Sequence, residues 1–113
     1  MVEKLKDAYK IWQEILPHIS KSQRQTIAAK IDEFLLNGLE STFRASYAPT
    51  PKRFDFVADA IIKIDSAKFF LLIGWENKII DDKKYIRLSE KLVEASKMLA
   101  GWKAYLEKKT SAN

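Results

Sequence analysis

The chain has 113 residues, no cysteine and a formal charge of +5, from 20 Lys and Arg against 15 Asp and Glu. That length fits one domain (1–113) with a modest core, and the missing cysteine excludes disulfides, thiolate chemistry and cysteine metal sites. The charge favours anionic partners such as RNA or DNA, yet many proteins with this surplus bind neither. The start is charged from Glu3 and has no signal-like apolar region, so cytoplasm is the expected compartment.

Leu5, Ala8, Trp12 and Ile15 alternate steps of three and four, which predicts a first helix over residues 3–16, widened by Tyr9 and Leu16. Pro17 lacks an amide and ends it. Ser20 with Gln23, or Ser22 with Gln25, forms a capping box for a second helix running to about Tyr47. Ile27, Ile31, Phe34, Gly38, Thr42 and Ala45 are its stripe. Gly38 mid-helix costs up to about 1 kcal/mol in propensity, so it points to close helix packing or a mild bend.

Residues 48–53, APTPKR, are the clearest break. Thr50 is read as N-cap and Pro51 as the first helical residue of a third helix reaching about Lys78, roughly 28 residues and about 40 Å. Val57, Ile61 and Ile64 give it one apolar stripe, but residues 69–75 are uncharged and mostly apolar all round. Seven such residues are far short of the roughly 20 that span a bilayer. The expectation is a buried segment whose second side is covered by another subunit. Asp81 or Asp82 caps a fourth helix, with Tyr85, Leu88, Leu92, Ala95, Leu99, Trp102 and Leu106 at heptad spacing and residues 110–113 frayed. The fold expected is all-α: an up-and-down four-helix bundle, left-handed, with short connections.

His18 is the only histidine and has no metal-binding partner at Glu-x-x-His or His-x-x-x-His spacing. Asp65 and Glu76 are the carboxylates placed to enter a buried network, the others lying off the core stripes. No phosphate loop, nucleophile elbow or zincin motif occurs, so no enzyme activity, metal or cofactor is expected. The basic surplus is local: the fourth helix from Asp82 to Lys109 holds eight basic and four acidic residues. Lys83, Lys84, Arg87 and Lys91 fill its first turns, with Lys21, Arg24, Lys52 and Arg53 in the connections. Such a cluster is either a phosphate-contacting surface without base readout or an ordinary solvated face. Trp12, Trp75 and Trp102 sit on apolar stripes and read as packing anchors before stacking platforms, while Tyr47 is the aromatic expected to be accessible. Lys68, just before Phe69 and Phe70, is expected to reach a carboxylate or to snorkel out between subunits.

The segments YKIWQEILPHISKSQRQTIAAKI, KFFLLIGWENKII and LSEKLVEASKMLAGW resemble a bacterial four-helix-bundle family. It contains the accessory variability determinant of diversity-generating retroelements and the proteins encoded by ribosomal RNA intervening sequences. The resemblance covers about residues 9–107. The family's Ser-x-Arg falls on Ser22 to Arg24, its Leu-Gly on Ile27 and Ala28, and its Met-Leu-Gly-Gly-Trp on Met98, Leu99, Ala100, Gly101 and Trp102. The resemblance implies a basic homopentameric barrel that binds a reverse transcriptase and RNA or DNA, with Arg24 and Lys68 among the basic contacts. A second arginine usual in relatives is Leu72 here, and two glycines are replaced by Ala28 and Ala100. Two function classes follow: a non-enzymatic accessory of a reverse transcriptase using Arg24, Lys68, Lys83, Lys84, Arg87 and Lys91 toward nucleic acid, or a structural, protein-interaction scaffold that binds none.

Overall fold

A computed structural model describes Val2–Ser111, which are all-α with no strand among them. Four long helices share one core: α1 (Val2–Ile15), α3 (Ile27–Tyr47), α4 (Thr50–Glu76) and α5 (Asp82–Ser111). A 3-10 turn, Leu16–His18, and a one-turn helix α2, Lys21–Arg24, join the first two of these. Contacts fix an alternating order of directions. Ile27 approaches Gly74 and Phe34 stacks on Phe70, so α3 and α4 run antiparallel. Trp75 stacks on Tyr85 and Lys103 lies over Phe54, so α4 and α5 do too. Lys4 to Glu94 and Arg87 to Glu14 place α1 antiparallel to α5.

The apolar stripes explain the packing. Leu5, Ala8, Trp12 and Ile15 are buried on α1, and Leu88, Leu92, Ala95, Leu99 and Leu106 on α5, as their spacing predicts. α3 and α4 approach closely at Gly38, which serves close packing. A Cβ there would lie 2.6 Å from Ile64 Cδ1 and 3.0 Å from its Cγ1, and Ile64 is fully buried. Thr42 is fully buried on the same seam and returns its hydroxyl to the Gly38 carbonyl at 2.8 Å, so no polar group is left unpaired there.

The boundaries differ from the sequence reading in four places. The second helix does not start at either serine: Ser20 opens only α2, without a side-chain cap bond, and the chain breaks at Thr26 (φ −113°, ψ −98°) before α3 begins. At that break Thr26 turns its hydroxyl back to the Gln23 carbonyl at 3.3 Å, and Arg24 ties α2 to the preceding link, its guanidinium donating to the Ile19 and Pro17 carbonyls at 2.9 and 3.0 Å. α4 opens one residue early, with Pro49 as N-cap accepting the amides of Lys52 and Arg53. It closes at Glu76, two residues before Lys78, in a Schellman motif: the Ile79 amide donates to the Gly74 carbonyl and that of Lys78 to the Trp75 carbonyl. Lys78 then takes φ +59°, a place where glycine is the usual residue. Finally, α5 continues through residues 110–111, and the remainder of the frayed stretch expected there lies outside the described residues.

Gly38→Ala is expected to lose about 1 kcal/mol of stability, because overpacking of about 1–3 kcal/mol outweighs a helix-propensity gain of about 1 kcal/mol. Adding Ile64→Val, which removes Cδ1, should recover most of that loss in urea unfolding. A stabilised single variant would show that close approach is not why this glycine stands here.

Candidate functional site

The six basic residues singled out by the sequence do not share one surface. Arg24 is spent on the link before α3, as described above. Lys68 lies in the crease between α4 and α5, 3.4 Å from Asp65 Oδ1 and 3.3 Å from Ser96 Oγ. Its partner Asp65 is exposed, as is Glu76, so neither enters the buried network expected of them. A carboxylate beside helix residues that face solvent stays hydrated, and neither has a second helix above it.

On α5, Lys84, Arg87 and Lys91 recur at steps of three and four and share one face, while Lys83 is turned away from it. Arg87 pairs with Glu14 of α1 at 2.7 Å, and Lys91 with Glu94 at 3.7 Å. Glu94 also accepts from Lys4 of α1 at 3.3 Å. Lys84 folds back on Asp81 at 2.7 Å, while Asp81 accepts the Lys84 amide at 2.9 Å. That second bond makes Asp81, not Asp82, the cap of α5. Lys83 alone of the six has no partner among the described residues.

Lys83 borders an open groove of about 560 Å³ at the α4–α5 turn, with Trp75, Lys78, Ile80, Asp81, Asp82 and Lys84. Trp75 stacks on Tyr85 with ring centroids 4.8 Å apart and donates its indole N–H to Asp82 Oδ1 at 2.7 Å. This site depends on Lys78, which the sequence reading placed inside a helix. Its left-handed backbone, invisible in a sequence with no glycine at that point, turns it out beside the indole. Trp12, by contrast, is fully buried and donates to Asp32, which also accepts from Tyr9 at 2.7 Å. Burial, and then the Asp32 hydrogen bond and charge, raise the Tyr9 phenol above its ordinary 10.0. This network ties α1 to α3 through Asp32 Oδ1. Among the described residues no group of three or more potential ligands could hold a metal, and no helix is long and apolar enough to cross a membrane.

The larger unpartnered feature is apolar. Phe69 is 56% exposed and Ile62 61% on α4, and Ile86 is 53% and Val93 41% on α5. Tyr47, the aromatic expected to be accessible, is 78% exposed at the end of α3. No family model, curated protein or solved structure matches the chain.

Electrostatic capping predicts an acid response. Asp81, held by the Lys84 ammonium and then its amide, and Glu94, held by Lys4, both ionise below their ordinary 3.8 and 4.5. A depressed carboxylate contributes stability above its unfolded value and loses it as pH falls through the folded one. The urea midpoint should therefore hold down to about pH 5 and drop below about pH 4.5, with a shallower drop in Asp81→Asn, which keeps the acceptor and removes the charge. An unchanged slope in that variant would contradict the assignment.

Proposed function

We propose that the chain is a self-associating, non-enzymatic helical scaffold that works through protein contacts. The observation that carries this reading is the exposed side of α4. Beyond its first turn the exposed residues there are Asp55, Ile62, Asp65, Phe69, Trp75 and Glu76, all acidic or apolar. A surface with that composition repels phosphate and offers apolar area to a protein. The state of the basic candidates supports it too, since five of the six are held by the chain's own carboxylates or carbonyls. Releasing such partners would offset part of what a phosphate contact contributes.

A second reading is the one the family resemblance implies: a pentameric cytoplasmic accessory of a diversity-generating retroelement that binds reverse transcriptase and RNA or DNA. One observation favours it. Lys78 and Lys83 are unpaired beside the Trp75 indole at the α4–α5 turn, an aromatic and two cations in one groove.

Retention of labelled single- and double-stranded RNA and DNA across a salt series separates the two. The scaffold reading expects no saturable retention at about 0.1 M salt. Saturable binding by the wild type, lost in a folded Lys78→Glu, Lys83→Glu variant, would replace it with the accessory reading. Arg87→Glu with Lys91→Glu is the weaker probe, because it also breaks the ion pair to Glu14.

A further inference from the structure

Gly38 is preceded by Asn37, and the two make the one Asn-Gly step in the chain. That step is chemically labile. A backbone amide nitrogen that attacks the side-chain carbon of the asparagine before it closes a five-membered succinimide, and glycine hinders the attack least because it has no Cβ. Position 38 is not free to escape this by taking another residue, since a Cβ there would lie 2.6 Å from Ile64 Cδ1. Close packing of α3 on α4 therefore keeps the labile partner in place. The Asn37 side chain is half-buried and has no hydrogen-bond partner among the described residues.

The fold decides whether the reaction runs. Both residues are interior to α3, so the Gly38 amide donates along the helix to the carbonyl four residues back, that of Phe34, and is turned away from the Asn37 side chain. The Gly38 carbonyl is held too, by the Thr42 hydroxyl at 2.8 Å. Leu35, Gly38, Ser41 and Thr42 are buried around the step, with Ile64 of α4 against it, so freeing the amide means parting α3 from α4 and not fraying an end. Asn77 is the contrast. It is exposed at the end of α4, but the Lys78 side chain after it hinders attack, and its own side-chain amide donates to the Ile73 carbonyl at 2.9 Å.

We propose that Asn37 is a deamidation site which the seam between α3 and α4 holds shut, and that its modification makes an opening of that seam irreversible. Once the helix opens, the Gly38 nitrogen gives its proton to solvent base and bonds to Asn37 Cγ, and the side-chain nitrogen leaves as ammonia. Water then opens the succinimide at either carbonyl, leaving an aspartyl or an isoaspartyl residue at position 37. The net change is one water in and one ammonia out, with no oxidant or reductant. The isoaspartyl form routes the main chain through Cβ, which adds a carbon to the backbone and breaks the hydrogen-bond register of α3 beside the buried seam. The aspartyl form is milder, placing a carboxylate within one turn of both Glu33 and Glu40. A chain that has opened is thereby marked, a route to irreversible unfolding by covalent change and without aggregation. It is independent of how the chain associates.

The test holds the protein at mildly alkaline pH across a guanidinium series, with circular dichroism giving the unfolded fraction, and then digests it with trypsin. Residues 31–44 and 69–78 are released as separate peptides, each with a single asparagine, Asn37 and Asn77. Amide-to-acid conversion at Asn37, read by mass spectrometry, should rise with the unfolded fraction and run several-fold faster than at Asn77 in full denaturant. Without denaturant it should be slower by roughly a hundredfold or more. Ile64→Val, which loosens the seam, should move the conversion curve and the unfolding curve together to lower denaturant. Chains carrying isoaspartate should fail to regain the native unfolding midpoint after dilution, whereas Asn37→Gln held equally long in denaturant should regain it. A conversion rate that is flat across the series overturns gating by the seam. No excess over Asn77 in full denaturant overturns the chemistry, and complete refolding of the isoaspartyl chains overturns the irreversibility.

Discussion

α4 packs against α3 on one side and α5 on the other, yet its sequence carries apolar residues on a third side as well. Everything else in the molecule is arranged around that surplus. The α3 side is filled closely, with Gly38 admitting Ile64 and Phe34 stacked on Phe70. The α5 side is closed by Lys68 and by the Trp75–Tyr85 stack. What is left is a ridge of Ile62 and Phe69 with water on it. Burying a large apolar side chain completely contributes about 1.5–3 kcal/mol, and these are already half covered, so four of them across one contact give roughly 3–6 kcal/mol. Association costs on the order of 4–15 kcal/mol. One such contact taken alone is therefore insufficient or marginal.

The same reasoning reinterprets the net charge. A formal +5 looks like a call for phosphate, but the excess is dispersed and mostly answered inside the chain: Arg24 by carbonyls, Arg87 by Glu14, Lys4 and Lys91 by Glu94. Exposed pairs of this kind are worth about 0–1 kcal/mol each, so they contribute little to stability. Their effect is on recognition, since they remove the local field that would gather a polyanion. The lysines without a partner among the described residues include Lys10 on α1, Lys21 on α2, Lys52 at the start of α4, and Lys78, Lys83 and Lys97 near the α4–α5 turn and on α5, so they do not gather into one cluster.

Much of the architecture was legible in the sequence because helix stripes are local and periodic. Leu88 to Leu106 repeat without interruption, and the proline-rich break at residues 48–53 removes amides that a helix needs. The α2–α3 break was not legible, because Gln25 and Thr26 are not strong breakers, and the Thr26 bond to the Gln23 carbonyl that accompanies it leaves no mark in the spacing. The end of α4 was missed for a related reason. A Schellman turn normally advertises itself by glycine, and here lysine occupies the left-handed position. Of the candidate site, residue types and signs were visible, but pairing was not: Glu14 and Arg87 are 73 residues apart, and no spacing rule links them. Nor could the all-round apolar run at residues 69–75 reveal which of its members would lie outward, since that follows from where α3 and α5 pack.

The central claim is that the outward ridge of α4 is an interface, and sedimentation velocity on the wild type and Phe69→Lys across a micromolar concentration series addresses it most directly. The account predicts a wild type that sediments as a discrete assembly and a Phe69→Lys protein that is folded, by circular dichroism, and monomeric throughout. A wild type that sediments as a monomer at the highest concentration, or a variant whose assembly is unchanged, would contradict it.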